Sequence, residues 1–321
     1  LAEPQRTNLV TYSEDFSNAV WGNANNGTTP VLTSGFISPD GTDNAYKISN
    51  ANQDSFWFYS SLIGATDSRT IYARTVSGTG TAQLLSHNSN TNNTFNLTEE
   101  WQRFEVTSTT SGTGSTNYYA VDFRGNGTLT ELLIWGADAE VGSYPTSYIP
   151  TSGSTVTRNQ DIFTRDGIGS LINSTEGVLF VEMAAFPNDT SGRWLSLSNG
   201  TVNERLSYGF QSSNIRVYIS NTSGLIWDYT TSGIDILNYN KIALKYKSGD
   251  YALWINGTEV STSTDSNLPS SLNSLQFDSG AGSSNFDGKV KQLQVYDTSL
   301  SDDQLLQLTG ESGTDFYESY A

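Results

Sequence analysis

Along the first half of the chain, apolar runs of five to nine residues alternate with clusters of Gly, Ser, Thr and Asn: Val31–Ile37, Ala45–Ser49, Ser55–Ile63, Thr70–Val76, Ala82–Ser86, Trp101–Val106, Tyr118–Phe123 and Leu129–Trp135. Such spacing predicts the strands of a sandwich or barrel. The pattern lapses between Ser143 and Gln160, where Pro145, Pro150 and a Thr-Ser-Gly-Ser-Thr stretch suit neither strand nor helix period. A boundary near residue 160 follows, giving domains 1–160 and 161–321. Strands resume at Gly177–Phe186, Arg193–Ser198, Arg205–Gln211, Ile215–Ser220, Leu225–Tyr229, Lys241–Lys247, Tyr251–Asn256, Leu275–Asp278 and Lys289–Tyr296. Lys245–Tyr251 reads as a tight hairpin, and Asn256-Gly257 as a primed turn. One helix is expected, Ser301–Leu308: Ser301 is its N-cap, Asp302 and Asp303 face the macrodipole, and Gly310 is the stop. The expected fold is all-β, two tandem antiparallel β-sandwiches (jelly rolls) with one short helix near the C-terminus.

Composition supports this and narrows the function. Charged residues are only 15% of the 321, yet there are 7 Trp, 17 Tyr and 14 Phe, too aromatic for disorder and too poor in charge for a helix bundle. The net charge of -17 repels phosphates and anionic lipid, so neither nucleic acid binding nor membrane insertion is expected. No apolar run approaches a membrane span. The absence of Cys excludes disulfides, thiolate catalysis and Cys-ligated zinc. A start at Leu1-Ala2-Glu3-Pro4 without Met reads as a processed product or an excised piece.

Two motifs flank the first half: Asn8-Leu9-Val10-Thr11-Tyr12-Ser13-Glu14-Asp15-Phe16-Ser17 with Trp21, and Trp135-Gly136-Ala137-Asp138-Ala139-Glu140 followed by Tyr144-Pro145-Thr146-Ser147-Tyr148-Ile149-Pro150-Thr151. They resemble the carbohydrate-binding-module-like jelly rolls of phage tail and fibre proteins and marine bacterial surface proteins. The second half, with Tyr251-Ala252-Leu253-Trp254-Ile255-Asn256-Gly257 and Phe286-Asp287-Gly288-Lys289-Val290 running on to Tyr296-Asp297, is similar to laminin-G and concanavalin A-like sandwiches. Modules resembling the first half often hold a structural calcium where the first strand's acid meets the last strand's. The resemblance therefore implies Ca2+ at Glu14 or Asp15 with Asp138, and Asp40 and Asp43 as a second possible contribution or as plain Asx turns.

Catalysis finds little support in the residues. His87 is the only histidine, and the Glu-x-Asp-x-x-Glu string of jelly-roll glucanases is absent. Asp138 and Glu140 share a strand face but lie in the terminal motif, where a structural or calcium role is expected.

Sugar binding needs flat aromatic faces and a few groups that fix hydroxyls. Strand alternation puts Phe56, Phe58 and Leu62 on one side, which sends Trp57 and Tyr59 outward. It likewise makes Tyr119, Val121 and Phe123 core and leaves Tyr118, Asp122 and Arg124 on the open face. With Arg74 these compose a glycan cleft, and the same composition would suit an oligomer contact. In the second half Arg205, Gln211, Arg216 and Tyr218 face away from the core, with Trp227 and Tyr229 nearby, as a second site. Trp254 fits either side.

The sequence thus reads as a non-catalytic glycan- or surface-recognition protein, extracellular or on a virion surface. Its expected partners are a glycan or cell-surface polysaccharide, and other virion proteins or further copies of itself. The alternatives are the ancillary carbohydrate-binding part of a secreted polysaccharide-degrading enzyme, or a purely structural virion protein.

Overall fold

The computed structural model describes residues 1–24, 30–49, 56–59, 67–86, 94–108, 119–123, 127–187 and 191–310. It divides into two compact units, Gln5–Asn159 and Leu1–Pro4 with Gln160–Ala321. Both are all-β sandwiches whose strands pair antiparallel, and the single described α-helix is short and near the C-terminus.

In the unit Gln5–Asn159 one five-stranded sheet has the order Trp21–Ala24, Phe56–Tyr59, Tyr119–Asp122, Gly80–Ser86, Thr94–Leu97. The other runs Val31–Phe36, Ala45–Ser49, Leu132–Val141, Asp67–Arg74, Gln102–Ser108. Residues that alternate inward from both sheets, such as Ile71, Ala73, Leu84, Val121, Leu132 and Ile134, close the core with Phe16 and Trp21. A fully buried ion pair lies in it: Arg69 donates from Nε and Nη2 to the two oxygens of Asp67 at 3.0 and 2.8 Å.

The terminal motif is explained by hydrogen bonding. The segment after Val141 returns along the acids of its own strand: Asp138 accepts the Ile149 N–H at 3.1 Å, and Glu140 accepts the Thr146 N–H at 3.0 Å and its hydroxyl at 2.6 Å. Arg103 donates to the Thr146 carbonyl at 2.6 Å, and the Thr151 N–H reaches Ser13 Oγ at 2.8 Å. The closing segment is thus tied back to the first motif at Ser13. Burial, and then the charge of Glu140, push the Asp138 carboxyl well above the usual range; burial also raises Glu140.

The second unit stacks a six-stranded sheet (Thr164–Arg165, Ser274–Gln276, Arg193–Ser198, Arg205–Gln211, Asn214–Asn221, Gly224–Thr230) on a five-stranded one (Thr258–Ser263, Tyr251–Ile255, Asn240–Lys247, Glu176–Ala184, Lys289–Tyr296). Leu179, Val181, Leu195, Leu206, Phe210, Val217 and Leu253 form the core between them. Asn256 and Gly257 both have positive φ, 49° and 79°, as the primed turn requires. The helix Asp302–Thr309 carries a full capping box, with Ser301 Oγ accepting from the Gln304 N–H and the Gln304 side chain returning to the Ser301 N–H. Leu305 packs the helix on Val178, Phe180, Ala243, Ala252 and Trp254, so Trp254 lies on the outer side of its sheet. No described helix is long and apolar enough to cross a membrane.

Candidate functional site

The pairing of Arg205–Gln211 with Asn214–Asn221 sets opposite each other Ser207 and Tyr218, and Gly209 and Arg216. Leu206, Tyr208, Phe210, Ile215, Val217 and Ile219 are all 0% exposed on the core side. By alternation Arg205, Gln211, Arg216 and Tyr218 occupy the other face, each half-buried.

Arg216 organises this face. Its Nε and Nη2 donate to the two oxygens of Asp228 at 2.8 and 2.6 Å, and Nη1 donates to Gln211 at 2.6 Å. The guanidinium carbon lies 5.6 Å from the Tyr218 ring centroid and 5.9 Å from that of Trp194. From the other side Arg205 stands 4.6 Å over Tyr218, and its Nη1 donates to the Ser279 carbonyl. Tyr218 is therefore flanked by two guanidinium groups, each a cation–π partner.

Trp194 sits two strands away from Arg216, with Gly209 directly between them in the ladder. A side chain at Gly209 would collide with the Arg193 carbonyl oxygen and would fill the gap across which Arg216 reaches the indole. Trp194 was missed from sequence, although it is out of phase with Leu195 and Leu197 and so legible by alternation. Trp227 and Tyr229, expected beside this face, pair with Ile219 and Val217 and turn with them into the core.

Among the described residues of the cleft expected in the first unit, Trp57, Arg74 and Asp122 do not come together. Trp57 pairs with Val121, and direct partners share a sheet face, so Trp57 is carried inward and is only 9% exposed within the core. The count of two Phe against one Trp misjudged which side the sheet buries. Asp122 follows Val121 and turns to the opposite side, where it is 4% exposed. Arg74 belongs to the other sheet, its guanidinium 5.4 Å over Trp101. Tyr59 pairs with Tyr119 through its backbone, and its side chain lies outside the described residues, as do Tyr118, Arg124 and His87.

The acids expected at a calcium ion are each held by protein groups. Glu14 accepts from Tyr148 Oη and Asn44 Nδ2, both at 3.0 Å. Asp15 accepts from Ser17 Oγ at 2.5 Å and Tyr46 Oη at 3.1 Å, and the Ser17 bond is the main cause of its lowered pKa. Asp138 holds Ile149. Among the described residues no group of three or more His, Asp or Glu is placed to hold a metal ion, and the second oxygen of Asp138, Oδ1, is buried without a hydrogen-bond partner. Asp40 makes the Asx turn, accepting the Thr42 N–H at 2.9 Å.

A concavity of about 510 Å³ lies on the second unit's other sheet, beside the N-terminus of the helix. Lys245 there bridges Asp250 at 2.7 Å and Asp302 at 3.6 Å. Tyr251 in its wall is 1% exposed, so it offers no aromatic face of the kind found around Tyr218.

Residues 179–306 match the family model Laminin_G_3, the concanavalin A-like lectin/glucanases superfamily. The face around Tyr218 lies inside this segment. Similar solved structures include the carbohydrate-binding module CBM40 of the Ruminococcus gnavus IT-sialidase, 19% identical with a TM-score of 0.38 over 46% of this chain and 98% of that one. The leech intramolecular trans-sialidase is 21% identical with a TM-score of 0.35 over 44% and 24% of the two chains, and mouse laminin alpha1 LG4-5 is 13% identical at 0.32 over 84% and 91%. No curated protein matches the chain.

Proposed function

We propose that the protein is a non-catalytic glycan-recognition protein working outside the cell, on a secreted protein or a virion surface, and that its second unit binds sugar on the outer face of the six-stranded sheet. The observation that carries this reading is the Tyr218 ring set between Arg205 and Arg216, with Arg216 held by Asp228 and Gln211. A half-exposed ring takes the apolar side of a pyranose, while guanidinium, carboxylate and amide groups fixed around it meet the hydroxyls. Because Arg216 is locked by three hydrogen bonds, little ordering entropy is lost when a ligand arrives. The family match to lectins and glucanases supports the substrate class. A binding role without chemistry is supported by Asp138 and Glu140, the paired acids singled out in the sequence, which are buried and hold the closing segment.

A glycan array tests the reading. The protein is expected to bind a defined subset of oligosaccharides, and Tyr218→Ala to lose some of them. An array on which the protein binds nothing, or on which Tyr218→Ala binds as wild type, contradicts it.

A further inference from the structure

The unit Gln5–Asn159 carries a second aromatic face, on the sheet opposite the one where a cleft was expected. Three adjacent strands place Trp135, Tyr72 and Arg103 in one row, Tyr72 pairing directly with each of the others. Arg74 stands two residues on from Tyr72 and shares its face. The ring centroids of Tyr72 and Trp135 are 5.3 Å apart, Tyr148 adds its ring 4.8 Å from Trp135, and the Arg103 guanidinium lies 5.9 Å from Tyr72. Gly136 makes this closeness possible. It sits at a ladder irregularity with φ +66°, and a Cβ there would come within 3.1 Å of the Tyr72 ring and 3.5 Å of Tyr148.

This face has a deficit of one kind. Arg74 Nε, Arg103 Nε and Trp135 Nε1 are buried N–H donors without a hydrogen-bond partner, and the Trp135 residue is 5% exposed. Buried donors are normally satisfied, and three on neighbouring positions of one sheet face are a concentration that asks for an acceptor. Tyr72, Arg74, Arg103 and Tyr148 remain half-buried and form an accessible rim.

We infer that this face is a second ligand site, independent of the Tyr218 face, and that it takes a neutral sugar ring. The three donors call for acceptor oxygens, and the net charge of -17 disfavours an anionic sugar; the Arg103 Nη2 is already committed to Thr70 Oγ1 and the Thr146 carbonyl. Tyr72 and Tyr148 supply the flat apolar surface that the ring's C–H side covers. The ligand class rests on the reading of the protein as a glycan binder, and the site itself rests on the unpaired donors.

The test uses the full chain on an array of neutral oligosaccharides, with Tyr218→Ala present so that the second unit's face is silent. Residual binding is expected, and adding Arg74→Met should weaken it tenfold or more while leaving the melting temperature within about 2 °C, since a Met stem still packs beside Trp101. Adding Tyr72→Ala should abolish it. No residual binding, or residual binding unchanged by Arg74→Met, overturns the second site. If the Tyr218 reading alone is wrong, Tyr218→Ala binds as wild type and Arg74→Met still produces its tenfold loss, so the two failures are separable.

Discussion

Arg216 and Asp228 form a two-pronged ion pair on the outer face of the six-stranded sheet, with N–O distances of 2.8 and 2.6 Å and side chains 26% and 31% exposed. At that exposure the pair adds little to folding, since solvent-exposed pairs contribute about 0.2–1 kcal/mol. Its consequence is orientation: the fork fixes the guanidinium beside both Tyr218 and Trp194. Asp228→Ala is therefore expected to cost under about 1 kcal/mol of stability in urea unfolding while weakening glycan binding several-fold. A large stability loss would show the pair to be structural.

Trp57→Ala tests the burial of this residue in the first unit. Truncating a buried Trp costs about 3–5 kcal/mol, which for a unit of this size lowers the melting temperature by roughly 10 °C. Scanning calorimetry reads it directly, and an unchanged transition would return Trp57 to the surface.

The Asp67–Arg69 pair gives a sharper contrast. Both side chains are 0% exposed, so Asp67→Ala leaves a buried cation and should cost about 3–5 kcal/mol. Replacing both, as Asp67→Leu with Arg69→Met, should recover most of that loss. Equal damage from the single and the double replacement would contradict the account.

Asp138 sets a pH dependence. Its folded pKa is raised by burial and by Glu140, so the stability it contributes is full below the unfolded carboxylate value and is lost as pH rises through the folded one. Asp138→Asn keeps an acceptor for the Ile149 N–H and removes the buried charge. The variant should melt at or above wild type at pH 8 and lose its advantage at pH 4, as followed by melting temperature across that range. A variant less stable by the same margin at both values would mean that the carboxyl is needed as an anion.

Much of the fold was legible because alternation and punctuation carry it: Leu206 to Ile219 fall in phase, Asn256-Gly257 turns as written, and Ser301 caps the helix with Gln304. The site was half legible for the same reason. Arg216 and Tyr218 follow from period two, whereas the part played by Trp194 depends on a gap at Gly209 that only strand order reveals. Trp57 was misread because a single strand's apolar count cannot tell which face its neighbour buries; the pairing with Val121 decides that, and pairing is non-local. The hydrogen bonds of the terminal motif's acids were not legible, because sequence shows the carboxylates of Asp138 and Glu140 but not the backbone N–H groups of Ile149 and Thr146 that they accept from.

Titration calorimetry with an oligosaccharide selected on the array tests the central claim most directly, comparing the wild type with Tyr218→Ala. An aromatic anchor carries about 2 kcal/mol or more, so the variant should bind at least about 30-fold more weakly. Its melting temperature should stay within about 2 °C of the wild type, since the ring lies outside the core. Unchanged affinity in a folded Tyr218→Ala protein would contradict the account.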